Sequence, residues 1–168
     1  DNKYDPTLSL IYLPHLDYCL QKFGPDFSKI SKELNEIDQV VASLVNHFEN
    51  KNARIIILSE YGIAPVNHPI HINRILREKK LLGIREERGL ELLDPGASKA
   101  FAVADHQVAH VYINDASVTE QVKKILENVP GIELVLDKNA QKEYHIDHER
   151  SGDFVLIADD KSWFTYYF

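Results

Sequence analysis

Residues 53–62 read ARIIILSEYG, and this stretch decides the fold class. Ile55, Ile56, Ile57 and Leu58 form an unbroken apolar run between polar neighbours, the pattern of a strand covered on both faces in a parallel sheet. Working backwards, Ile30, Leu34, Ile37, Val41, Leu44, Val45 and Phe48 keep helical spacing from Ser28 to about Asn50, with Ser28 or Asp26 placed to cap the helix. Before it, TLSLIYL (7–13) is β-rich and closes on Pro14, and the residues from His15 to Phe27 read as a loop. The first unit is therefore expected to run β-loop-α-β. Ligands of such sheets sit beyond the carboxyl ends of the strands, and Asp17 and Glu60 both fall there.

The second half has a different rhythm. Residues 72–82 read as a helix with Ile75, Leu76, Leu81 and Leu82 on its buried side, followed by the charged stretch REERGLELLDPGAS and a break at Pro95 and Gly96. Strands are expected at 100–104 and 108–113. SVTE (117–120) has the Ser-x-x-Glu form of a capping box and opens a helix to about Asn128, which PG at 130 and 131 stops. IELVLD and DFVLIAD supply two more strands, separated by a polar stretch. The expected organisation is an α/β core over 1–82 and a small α+β, cap-like insertion over 83–168.

Composition excludes several classes of function. A net charge of −7 and a pI near 5.6 leave no basic patch for a phosphate backbone, so polymeric nucleic acid is not an expected partner. The single cysteine, Cys19, can form neither an internal disulfide nor a cysteine-based zinc cluster. No apolar run approaches the ~20 residues of a membrane-spanning helix. The chain lacks methionine and begins DNKYDP, which reads as a piece of a longer protein. Compartment and oligomeric state stay open.

Asp17 and Glu60 are hard oxygen ligands that could converge on a divalent cation, or equally serve as caps and turn acids at a sheet edge. His68 and His71, three apart, could share one face at a helix start; surface histidines are the plainer reading. His106 and His110, in ADHQVAHVYI, share a strand face through the period of two and could line a cleft, or form a polar strand face with Asp105 setting a tautomer. The closing WFTYYF is aromatic enough for a strand or an interface. There is no Gly-x-Ser-x-Gly, no phosphate-cradling glycine loop and no Cys/His dyad.

YLPHLDYCLQKFGPD, followed some 40 residues later by IIILSEYGI, resembles the metal-binding core of the alkaline phosphatase superfamily, in its type I phosphodiesterase/nucleotide pyrophosphatase branch. That branch shows a strand, Pro-Asp-x-x-Gly-His-x-x-Gly-Pro, a helix, and a strand ending Ser-Asp-His-Gly-Met. The first aspartate falls on Asp17, Gly-Pro on Gly24 and Pro25, and the last motif on residues 59–63. Of the four ligands expected in this span only Asp17 is unchanged. Gln21 stands for one histidine, Glu60 for the second aspartate and Tyr61 for the other histidine. LPHLDY, SEYG, ADHQVAHVY, HERSG and WFTYY together resemble a bacterial subgroup in which such altered motifs are usual.

The resemblance implies a partial alkaline-phosphatase-like domain, mostly parallel in its sheet, whose nucleophile and final histidine lie in segments outside this chain, so that the chain alone is expected to be inert. It implies two-metal hydrolysis of a small phosphorylated substrate, with zinc as the metals and manganese as the alternative. Asp17 and Glu60 are the implied metal ligands, and His15, Gln21, Tyr61, His106 and His110 candidates for the rim or outer shell. Two rival readings stand beside it: a non-catalytic relative that binds a phosphorylated ligand, and a structural interaction domain.

Overall fold

The computed structural model describes residues 6–168, which fall into two compact units that divide between Pro65 and Val66. The first unit holds helices α1 (Asp17–Phe23) and α2 (Ser31–Glu49). Helix α1 lies in the span expected to be loop. Its seven residues close on Gly24, whose φ of 68° is a left-handed turn that a residue without Cβ adopts at least cost, and the Gly24 N–H returns to the Leu20 carbonyl. Inside it the Cys19 thiol, itself buried, donates to the Leu16 carbonyl. Helix α2 matches the expected period, but its cap differs. Ile30 occupies the N-cap position without a side-chain bond, while Asp26 accepts from the Ser28 backbone N–H and hydroxyl one turn earlier. The Ser28 hydroxyl, then the Lys29 ammonium 3.2 Å away, and to a smaller degree the Ser28 N–H hold the Asp26 carboxyl below its ordinary range.

The strands expected at 7–13 and 53–59 are not formed. Both segments lack strand pairing among the described residues, and Ile56, Ile57 and Leu58 are 69–77% exposed. An apolar run is a strand only where a neighbour completes its hydrogen-bond ladder and covers its faces; in this unit neither run meets one. The mixed α/β class is found. Its parallel pairing, however, lies in the second unit.

That unit opens with a short strand, β1 (His68–Ile70), which pairs in parallel with β8 (Ser162–Phe164). Helix α3 (Ile72–Glu78) follows, shorter than expected because Lys80 turns left-handed at φ 59° and the Leu81 N–H folds back on the Leu76 carbonyl. The charged stretch after it is a hairpin, β2 (Gly83–Glu87) with β3 (Leu90–Asp94). Its two-residue turn, Arg88 and Gly89, carries positive φ at both positions, the geometry usually announced by Asn-Gly.

Strands β4 (Ala100–Asp105), β5 (Val108–Ile113), β6 (Ile132–Leu136) and β7 (Phe154–Ala158) form an antiparallel sheet in the order β4-β5-β7-β6. Every second residue faces the core: Ala100 and Ala102, Ala109 and Val111, Phe154 and Leu156 are buried with Ile72 and Leu76 of α3. Val122 and Leu126 of α4 (Thr119–Leu126) join the same cluster, so both helices cover one face. The Ser-x-x-Glu pattern does not cap α4. A 3-10 turn at Ala116–Val118 precedes the helix, and Asp115 accepts from the Ser117 N–H and hydroxyl. A further helix, α5 (Lys138–Glu143), occupies the polar stretch after β6 and is capped by Asp137, which accepts from the N–H groups of Asn139 and Ala140.

A candidate altered metal centre

In the first unit the backbone brings two distant motif positions together. Asp17 begins α1, where its N–H bonds the Pro14 carbonyl at 3.2 Å. Gln21 follows one helical turn later, and its Nε2 donates to Asp17 Oδ1 at 3.0 Å, the spacing at which residues four apart on a helix meet. From the far side the Tyr61 hydroxyl donates to the same Oδ1 at 2.7 Å. Tyr61 is presented by a turn in which the Ser59 hydroxyl donates to the Tyr61 carbonyl at 2.6 Å.

The electrostatics follow from this contact. The Asp17 carboxylate accepting its hydroxyl pushes the Tyr61 phenol up to about 12, and the charges of Asp17 and Glu60 add to the effect, because a phenolate there would face negative groups. Tyr61 is therefore a protonated donor at neutral pH. His15, two residues before Asp17, and Glu60, immediately before Tyr61, are both exposed.

The structure thus joins Asp17, Gln21 and Tyr61, three of the sequence candidates. His106 and His110 belong to the second unit and do not share a strand face. His106 lies in the two-residue turn between β4 and β5, at φ 54°, with its ring exposed and 3.7 Å from Asp105. The shift arises because β4 ends at Asp105, so the chain reverses where the period of two was expected to continue. His110 is on β5 and accepts the Gly152 N–H on Nδ1 at 3.0 Å, which assigns its proton to Nε2. His68 and His71 also part company. His68 pairs within β1, whereas His71 precedes α3 and shares a 2.7 Å hydrogen bond between Nδ1 and Thr165 Oγ1.

One feature escaped the sequence reading. His71, His106, Trp163, Tyr166 and Tyr167 line a hollow of about 520 Å³ in the second unit. Its signal was the aromatic run 163–168 together with the two histidines, but only the parallel pairing of β1 with β8 and the 2.7 Å bond from the Phe164 N–H to the His106 carbonyl make them neighbours.

Among the described residues no three His, Cys, Asp or Glu side chains converge as a metal-ligand group. The donors near Asp17 are carboxylate, amide and phenol, without the ring nitrogens or thiolates on which structural and catalytic zinc sites rely. The set does not fit zinc.

A profile of the type I phosphodiesterase / nucleotide pyrophosphatase family matches residues 1–168. An uncharacterized pyrophosphatase/phosphodiesterase of Schizosaccharomyces pombe (strain 972 / ATCC 24843) is 34% identical over 70 residues, which are 39% of this chain and 14% of that protein. The crystal structure of phosphonoacetate hydrolase from Sinorhizobium meliloti 1021 in complex with phosphonoacetate is similar at a TM-score of 0.61 and 19% identity, over 88% of this chain and 36% of that one. Murine ectonucleotide pyrophosphatase / phosphodiesterase 5 is similar at a TM-score of 0.62 and 17% identity, over 90% of this chain and 37% of its own. These likenesses show the fold, and the chain spans well under half the length of each relative.

Proposed function

The chain belongs to the type I phosphodiesterase / nucleotide pyrophosphatase family, and from this we propose that the intact protein is a metal-dependent hydrolase of small phosphate esters to which these residues contribute one carboxylate-bearing part of the site. The observation that carries the reading is the meeting of Asp17 and Tyr61, two motif positions 44 residues apart, at 2.7 Å. A polar surface with no role gives no reason for that convergence.

Within this reading Asp17 and Glu60 are the carboxylates directed to divalent cations. Tyr61 and Gln21 orient Asp17 by occupying one of its two oxygens, as outer donors orient ligating carboxylates in metal sites generally. A bound divalent cation supplies Lewis-acid stabilisation of charge on a phosphoryl oxygen. The division at residue 82 into core and cap-like insertion is part of the same proposal.

The test is hydrolysis of an aryl phosphodiester by the full-length protein and by its Asp17→Ala and Glu60→Ala variants. Turnover that falls at least about 100-fold in both variants, as loss of a site donor does, supports the reading; turnover unchanged in both removes it. A second reading, a non-catalytic relative that binds a phosphorylated ligand, is favoured by the presence of Gln21 and Tyr61 as hydrogen-bond donors at Asp17. It gains if ligand binds without turnover.

A further inference from the structure

We propose that the hollow of the second unit is a binding site for a planar aromatic anion, an inference that goes beyond the hydrolase reading and does not depend on it. The hollow holds about 520 Å³, inside the range of about 300–1,000 Å³ over which proteins bind small molecules. Trp163, Tyr166 and Tyr167 bring three aromatic rings to its lining, and His71 and His106 bring two imidazoles. Tyr166 and Tyr167 keep 69% and 61% of their surface exposed, so these walls meet solvent. Such rings take a planar guest by offset stacking or edge-to-face contact, which a saturated guest of the same size cannot match.

The lining is held in place by contacts of its own. His71 Nδ1 shares a 2.7 Å hydrogen bond with Thr165 Oγ1, and the His71 ring meets the Tyr167 ring edge-on at 5.8 Å. His106 stands at φ 54°, in a two-residue turn whose positive-φ positions favour glycine, and its carbonyl accepts the Phe164 N–H at 2.7 Å. Gln107, the other turn residue, donates through Nε2 to the Asp159 and Ser162 carbonyls at 2.9 and 3.0 Å. Backbone outliers pinned by their surroundings in this way gather at ligand sites.

Charge selects the guest. No carboxylate lines the hollow among the described residues, although the chain as a whole carries −7. The Arg74 guanidinium stands over the Tyr167 ring at 5.1 Å and places a permanent positive charge beside the lining. Asp105 lies 3.7 Å from the His106 ring and Glu78 borders a separate hollow with Arg74; neither belongs to this lining. A cationic guest would meet a guanidinium and two imidazoles. An aromatic ring bearing a negative group matches both the walls and the charge.

The experiment titrates the full-length protein with 2-naphthoate, an aromatic anion without a phosphoryl group, so that its outcome is separate from that of the hydrolase assay. Binding is followed by calorimetry and by tryptophan emission, with the share of Trp163 assigned by difference from Trp163→Phe. We expect a saturable change in that emission and a dissociation constant of about 1 mM or below, in keeping with a ligand of about thirteen non-hydrogen atoms. Decalin-2-carboxylate, saturated, and 2-naphthylmethanol, neutral, should each bind about tenfold more weakly, the first without stacking and the second without a charge-assisted contact. Arg74→Gln should abolish the preference for 2-naphthoate over the alcohol and leave the affinity for the alcohol within about twofold. His106→Asn, which keeps a residue at ease with positive φ, should weaken 2-naphthoate about fivefold.

Absence of a saturable change in Trp163 emission overturns the proposal. So does binding that is indifferent to Arg74→Gln, or equal affinity for the saturated acid.

Discussion

The Tyr61 hydroxyl and Asp17 Oδ1 stand 2.7 Å apart and close a contact across 44 residues of sequence. The bond has a direct spectroscopic consequence. With the Tyr61 phenol pushed from 10.0 up to about 12, chiefly by its hydrogen bond to Asp17, folding favours the protonated ring. Its contribution to stability is complete below the unfolded value of 10.0, and is lost as pH rises through about 12. A spectrophotometric titration of the eight tyrosines should show a late ionisation step that Tyr61→Phe removes. Complete ionisation in one step near the ordinary value would show that the bond does not persist in solution.

Asn73 docks helix α3 on the edge of the antiparallel sheet. Its buried amide donates through Nδ2 to the Ala102 carbonyl at 2.8 Å and accepts the Ala102 N–H on Oδ1 at 2.7 Å, so one side chain takes the place of a missing strand. Asn73→Ala leaves both backbone groups of a buried residue without partners. It should cost about 3 kcal/mol in chemical denaturation, given roughly 1–3 kcal/mol per unsatisfied group. A loss below about 1 kcal/mol would mean that water replaces the amide.

Gly131 sits against the parallel pair β1 and β8. Its φ is +88°, and a Cβ there would lie 2.6 Å from Ser162 Oγ, 2.8 Å from His68 Cδ2 and 2.9 Å from Ile70 Cδ1. Gly131→Ala combines left-handed strain with overpacking, and a loss of about 3 kcal/mol is expected from the two together. Denaturant unfolding checks it, and a variant as stable as wild type would contradict this tight junction.

Arg77 of α3 forms a two-pronged pair with Glu91 of β3, Nη1 to Oε2 and Nη2 to Oε1 both at 2.8 Å. The hydrogen bond from Arg77 holds the Glu91 carboxyl below its ordinary value of 4.5. That contribution is present above 4.5 and is lost as pH falls through the lowered folded value. In an NMR titration, Arg77→Met should return the Glu91 midpoint to the ordinary range, and added salt should shift it the same way because the pair is exposed. A midpoint insensitive to both changes would discount the pair.

Local pattern determined much of this protein. The period of 3.6 in α2, the alternation at 100–104 and 108–113, and the strands at 132–136 and 154–158 were all legible, because each element carries its own burial pattern along a few residues. Asp17 was legible from its place beyond an expected strand end, and Gln21 and Tyr61 through the resemblance of the stretches around Gly24-Pro25 and Ser59 to the family's motifs. Their joining was not: a 2.7 Å contact between residues 44 apart depends on how the intervening helix returns the chain.

The same limit explains the errors. The run 53–59 carries a strand's composition, yet pairing is a property of the neighbour as well as of the segment, and no neighbour completes it in this unit. Conversely, 83–94 lacked a recognisable turn pair, and becomes a hairpin because Arg88 and Gly89 both accept positive φ. His106 left the strand because β4 and β5 turn after Asp105. The sequence by itself determined which residues could serve as helices, strands and polar candidates, since those depend on chemistry within one or two turns of chain. Only the tertiary structure decided that Tyr61 and Gln21 spend their hydrogen bonds on one oxygen of Asp17, because donor and acceptor choices depend on which side chains fold into reach.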